Sequence, residues 1–145
     1  MAFRFSLAAV LNLRKAIERQ EYLNLERINQ EIARIKNEID AAGSRRSELE
    51  QSRNSQLIEG MPSVRLQSLY EQVFAIERYV DSLKALLPEL AVKKDQRLKT
   101  YSLARQKREI LDSLRDKQHS AYLKEAAKRQ QTLTDDLFLA RLKRK

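Results

Sequence analysis

Apolar residues fall at Leu25, Ile28, Ile32, Ile35, Ile39, Ala42 and Leu49, in alternating steps of three and four broken once by Arg46. Such spacing keeps one stripe of a helix facing a partner helix and is the signature of a heptad seam. Upstream, Leu7, Val10, Leu11, Leu13 and Ile17 continue an apolar face, but the step from Ile17 to Leu25 is eight residues, which predicts a slip of the seam there and a local change of supercoil. Around Glu59, Gly60, Met61, Pro62 and Ser63 the periodicity stops, and a Gly and a Pro followed by a Ser make the best turn signal in the chain. Ser63 is placed to cap the next helix. Beyond it a second seam runs through Leu66, Leu69, Val73, Ile76, Val80, Leu83, Leu87 and Leu90.

Two stripes separated by one turn fold back on each other. The pattern therefore predicts an all-α fold, a long two-helix antiparallel coiled-coil hairpin in a single domain over 1–145, with helices over 3–58 and 63–142 and a turn over 59–62. That register sets Ile39 near Val80 and Leu83, Ile32 near Leu87 and Leu90, and Leu7 near Leu114. It leaves an overhanging C-terminal helix of about 27 residues, about 40 Å at the usual rise. Pro88 sits inside the second run, where it removes a backbone hydrogen bond and crowds the preceding turn at a cost of about 3 kcal/mol. No turn residues flank it, so the expectation is a kink near 88. The rival arrangement is a three-helix fold with a corner at Leu87 and Pro88.

Composition narrows the functional classes. With 34% charged residues, two glycines and two prolines, few turns can form and straight-chain helix formers fill the chain. Its 42% hydrophobic content is too high for a disordered tail, yet no run reaches the roughly 20 apolar residues of a bilayer span. The start, MAFRFSLAAVLNLRK, lacks a long apolar core and leads into charged helix, so a cytoplasmic chain without a secretory leader is expected. The absence of cysteine removes disulfides, thiolate catalysis and Cys-based zinc sites. Residues 1–92 carry 13 basic and 13 acidic side chains, whereas residues 93–145 carry 16 and 7, so the whole excess of +9 lies in the C-terminal third. An acidic partner is expected there.

Candidate chemistry is sparse. His119 is the sole histidine and has no cysteine to join it in a metal site, so it reads as a polar residue on a solvated face. Asp135 and Asp136 are adjacent, point about 100° apart on a helix and cannot share a pocket as an acid and base. The two glycines, Gly43 and Gly60, form no phosphate loop. The expectation is a protein that is not an enzyme, with no cofactor and no small-molecule substrate. In ARQKREILDSLRDK the carboxylates Glu109, Asp112 and Asp116 interrupt the basic residues, which reads as an ordinary solvated surface and weighs against nucleic acid. Arg141, Lys143, Arg144 and Lys145 are more purely basic, and part of that charge complements a helix C-terminus. Tyr70, Phe74 and Tyr79 lie off the seam, either as a protein-binding face or as cover for its flank.

The start FRFSLAAVLNLRKAIERQE resembles the N-terminal signature of the flagellar export protein FliJ family through Phe5, Leu7, Val10, Leu11, Leu13, Arg14, Glu18 and Glu21. The far end is similar to that family's closing segment at Arg105, Arg108, Leu111, Leu114, Tyr122, Glu125, Gln131, Asp135, Asp136 and Arg141. The resemblance implies a coiled-coil stalk of the type III export apparatus, cytoplasmic and peripheral at the inner membrane. Its terminal half would enter a hexameric export ATPase ring, its tip half would reach a membrane-embedded export gate, and export chaperones would associate with it. Carried onto this chain, the gate-contacting patch falls on Gln72, Ile76, Tyr79 and Leu83, of which Ile76 and Leu83 also belong to the seam. The ring-facing end falls on Phe3, Phe5, Arg14, Arg141, Lys143 and Arg144. The equivalent stalk of a virulence-type secretion system shares this layout. Two other readings stay open: a basic coiled coil that binds nucleic acid or anionic membrane through residues 124–145, and a chaperone that holds substrates along Tyr70, Phe74 and Tyr79.

Overall fold

A computed structural model describes residues 2–144, and Lys145 of the basic run lies outside the described residues. Two α-helices account for nearly all of them: α1, Ala8–Glu59, and α2, Ser63–Lys143. The chain is thus an all-α helical hairpin. Its contacts divide it into two compact units, one of residues 22–100 and one that joins residues 1–21 to 101–145.

The turn works through two residues. Gly60 takes φ of +97°, a left-handed conformation that only glycine adopts without strain, and it ends α1 immediately after Glu59. The Pro62 carbonyl accepts hydrogen bonds from the Arg65 and Leu66 N–H groups at 3.1 and 3.2 Å. Pro62 rather than Ser63 therefore provides the capping carbonyl, and Ser63 is the first residue of α2. Pro88 lies within uninterrupted helix, which rules out the corner of the three-helix rival.

In the unit of residues 22–100 the predicted seam is the observed one. Ile35 and Ala42 are 1% and 0% exposed, Val73 and Leu83 are buried opposite them, and Leu25, Ile28, Ile32, Ile39, Leu66, Leu69, Ile76, Val80, Leu87 and Leu90 are half-buried. Ile39 and Val80 line one groove, as the register requires. Arg46, the polar break in the seam, reaches across to Glu77 at 2.8 Å and also bonds Glu50 on its own helix.

The unit of residues 1–21 and 101–145 departs from expectation twice. First, α1 begins at Ala8, not at residue 3: the Phe5 carbonyl accepts from Ala8 N–H at 3.1 Å and the Leu7 carbonyl from Leu11 N–H at 2.9 Å. Burial draws the leading segment out of the helix, since Phe5 is 8% exposed and Phe3 packs against His119 and Tyr122. Second, the seam does not slip. Leu11, Arg14, Glu18, Glu21 and Leu25 continue it in steps of three and four, with Leu11 buried and the rest half-buried. Sequence reading follows apolar residues and so selects Ile17, whereas the seam position is Glu18.

Candidate partner-binding surfaces

A carboxylate can sit in a seam only if it is matched, and Arg108 matches Glu18. Its Nε and Nη2 donate to the two Glu18 oxygens at 2.6 and 3.1 Å, while Nη1 donates to Asp112 at 2.8 Å. The side chains of Arg108 and Glu18 are 24% and 16% exposed, so solvent screens this bidentate pair only partly. The Arg108 hydrogen bond holds the Glu18 carboxyl below the usual glutamate value, against a smaller desolvation effect, and the two carboxylates raise Arg108 further. Around the same end, the Phe3 ring meets His119 edge-on at 4.9 Å and Tyr122 at 5.6 Å between centroids. His119 is exposed, as expected for its face, but it also pins the N-terminal segment. Sequence reasoning missed both features, because neither long-range partner is marked by local spacing.

Near the turn, the four residues carried over from the family separate into two kinds. Gln72 and Tyr79 are exposed, Ile76 is half-buried, and Leu83 is 7% exposed, so Leu83 supports the surface from inside the seam and does not form part of it. Tyr79 is occupied as well: its hydroxyl donates to Glu38 at 2.9 Å, which raises the phenol above its ordinary value. Tyr70 and Phe74 are more than half exposed, with Arg53 and Arg78 stacked over them at 5.1 and 5.7 Å. An open groove of about 430 Å³ runs between them and Ser63, Leu66, Gln67 and Glu71.

At the other end, Phe5 is buried, Phe3 and Arg14 are half-buried, and Arg141, Lys143 and Arg144 are exposed. Every residue from Leu123 to Arg144 is exposed and nearly all are helical. That stretch presents Leu133, Leu137, Phe138, Leu139 and Leu142, each more than half exposed, ahead of the basic last turn. At about 100° per residue, Leu137, Phe138, Leu139 and Leu142 spread over about 200° of the helix circumference, wider than the stripe that one partner helix covers. Among the described residues no cluster could hold a metal ion, and no helix is long and apolar enough to cross a membrane.

These features, two long helices that pair through a seam and present aromatic, apolar and basic side chains outward, define an all-α helical hairpin. The family of flagellar FliJ proteins has a model that matches residues 3–145, and the chain belongs to that family. Membership gives it a role in flagellar export. No curated protein and no solved structure matches the chain.

Proposed function

We propose that this protein is a non-enzymatic stalk of the flagellar type III export apparatus, coupling a hexameric export ATPase to the export gate at the inner membrane and associating with export chaperones. The observation that carries the reading is the C-terminal stretch of α2. A helix that leaves Leu133, Leu137, Phe138, Leu139 and Leu142 in water over an arc of about 240° gains stability when partner surfaces of a ring cover it. Arg141, Lys143 and Arg144 suit an acidic lining, Phe3 packs against His119 and Tyr122 at the base of that stretch, and Phe5 and Arg14 complete the ring-facing end. Gln72, Ile76 and Tyr79 form the gate-facing side near the turn, held by the seam at Leu83.

Hydrolysis by the flagellar export ATPase, measured with and without the chain, tests the coupling. Stimulation that falls at least about fivefold in Leu137→Ser/Phe138→Ser is expected, whereas no binding and no stimulation by the wild type overturns the reading. The basic last turn also favours a second reading, in which residues 124–145 bind nucleic acid or anionic membrane. Tight binding to duplex DNA or anionic vesicles that weakens steeply with salt would favour it.

A further inference from the structure

In an antiparallel helix pair, residues that follow the seam positions on both helices share one flank, and residues that precede them share the other. The groove at Gly43 shows the first case, with Asp40 and Asp81 following the seam residues Ile39 and Val80. In the unit of residues 1–21 and 101–145 the seam runs through Leu11, Arg14, Glu18 and Glu21 on α1 and through Ala104, Arg108 and Leu111 on α2. The preceding positions on α1 are Val10, Leu13, Ile17 and Gln20, with no charge among them. On α2 they continue in threes and fours as Leu103, Lys107, Ile110, Leu114, Lys117, Ala121, Lys124 and Lys128, with no carboxylate.

This flank is wide, apolar and open. Val10 and Leu13 are 39% and 58% exposed, and Leu103 and Ile110 are 57% and 66%. Ile110, Leu114 and Lys117, together with Gln106, Glu109 and Ser113, line a surface groove of about 610 Å³ on α2. The carboxylates of the same stretch are paired within α2: Glu109, which lines that groove, bonds Arg105 at 2.9 Å and Asp112 bonds Arg108 at 2.8 Å. The lysines thus border the apolar positions, while Glu109 beside them is already held by Arg105.

Two helices bury one seam, and a second apolar stripe on one flank is the place where a third helix packs. The chain's own C-terminal stretch cannot supply that helix, because α2 continues through Leu123 to Lys143 without a turn. A second copy laid on this face would bring lysine edge against lysine edge. We infer that the flank formed by Val10, Leu13, Ile17, Leu103, Ile110 and Leu114 docks an amphipathic helix of another protein, one that carries carboxylates along the edge meeting Lys107, Lys117 and Lys124. The apolar residues of this surface lie along the side of the paired helices, whereas the C-terminal side chains assigned to the ring run from Leu133 to Arg144, so either assignment can fail without the other.

Fluorescence anisotropy with the full chain tests it, using two labelled three-heptad helical peptides with the same leucine stripe, one flanked by glutamates and one by lysines. The glutamate peptide should bind at least about tenfold tighter. Ile17→Ser/Ile110→Ser should lose that binding with helicity and Tm preserved, and Lys107→Glu/Lys117→Glu, at two exposed positions, should transfer the preference to the lysine peptide. Equal binding of the two peptides, binding of neither, or a preference that the charge reversal leaves in place overturns the proposal. So does sedimentation of the wild type as a dimer that Ile17→Ser/Ile110→Ser dissociates, which assigns the face to a second copy. Should the serine variant fail to fold, the charge reversal decides alone.

Discussion

The same flank of the helix pair has opposite chemistry in the two units. Among residues 22–100, the positions preceding the seam hold Glu31, Arg34 and Glu38 on α1 and Gln72 and Tyr79 on α2, tied together by Arg34 bonded to both glutamates and by Tyr79 bonded to Glu38. In the other unit the corresponding positions are Val10, Leu13, Ile17, Leu103 and Ile110. The inside is reversed too. The unit of residues 22–100 has a hydrocarbon seam centred on Ile35 and Ala42, whereas the other places Glu18 and Arg108 between its helices. Charge follows the division: residues 22–100 carry 13 basic and 12 acidic side chains, and the other unit carries 16 and 8. One unit thus buries hydrocarbon along its seam and carries nearly balanced charge. The other satisfies its interior with an ion pair and leaves apolar and basic surface outward.

The contrast can be broken most strongly at the hydrocarbon seam. Ile35→Ala removes a side chain that is 1% exposed, and thermal or urea unfolding should show a loss of about 2–4 kcal/mol. Next comes the polar seam, where Arg108→Ala leaves Glu18 without its partner and should cost about 1–2 kcal/mol at neutral pH. Its pH dependence gives the sign. The folded-state pKa of Glu18 lies below its unfolded value, so the pair's stability is present above the unfolded value and is lost as pH falls through the lowered one. The gap between wild type and Arg108→Ala should therefore close below about pH 4, while the gap for Ile35→Ala persists.

A smaller effect of opposite sign is expected at Gly43. Its φ is not positive and an added Cβ would meet nothing within 4 Å, so Gly43→Ala should raise stability by about 0.5–1 kcal/mol through helix propensity alone. The smallest belongs to the C-terminal stretch of α2. Phe138→Ser, at a position 62% exposed, should leave Tm within about 1 °C, because a side chain already in water has little burial to lose. A marked drop there would show that the stretch is covered within the chain.

Much of the hairpin was legible along the sequence because its signals are local. Alternating threes and fours from Leu25 to Leu49 and from Leu66 to Leu90, with Gly60 and Pro62 between them, suffice to place two helices and their turn. Reading failed where a polar residue occupies a core position. Nothing near Glu18 announces that Arg108, 90 residues away, will satisfy it, so the apolar Ile17 seemed the better seam residue and a slip was expected. The start of α1 escapes the sequence for a similar reason: Phe3 looks helical until distant His119 and Tyr122 offer it a surface.

The candidate surfaces divide in the same way. That Tyr70, Phe74 and Tyr79 lie off the seam follows from helical periodicity, and all three are exposed. Which charges share a flank depends on where the partner helix lies, and only the tertiary structure decided that Lys107, Lys117 and Lys124 edge an apolar face while Glu109 beside it is bonded to Arg105. Backbone periodicity and turn chemistry act within a few residues and can be read from the order of the chain. The pairing of a buried charge, and the face that is left uncovered once a seam is chosen, are settled only when residues far apart in sequence meet.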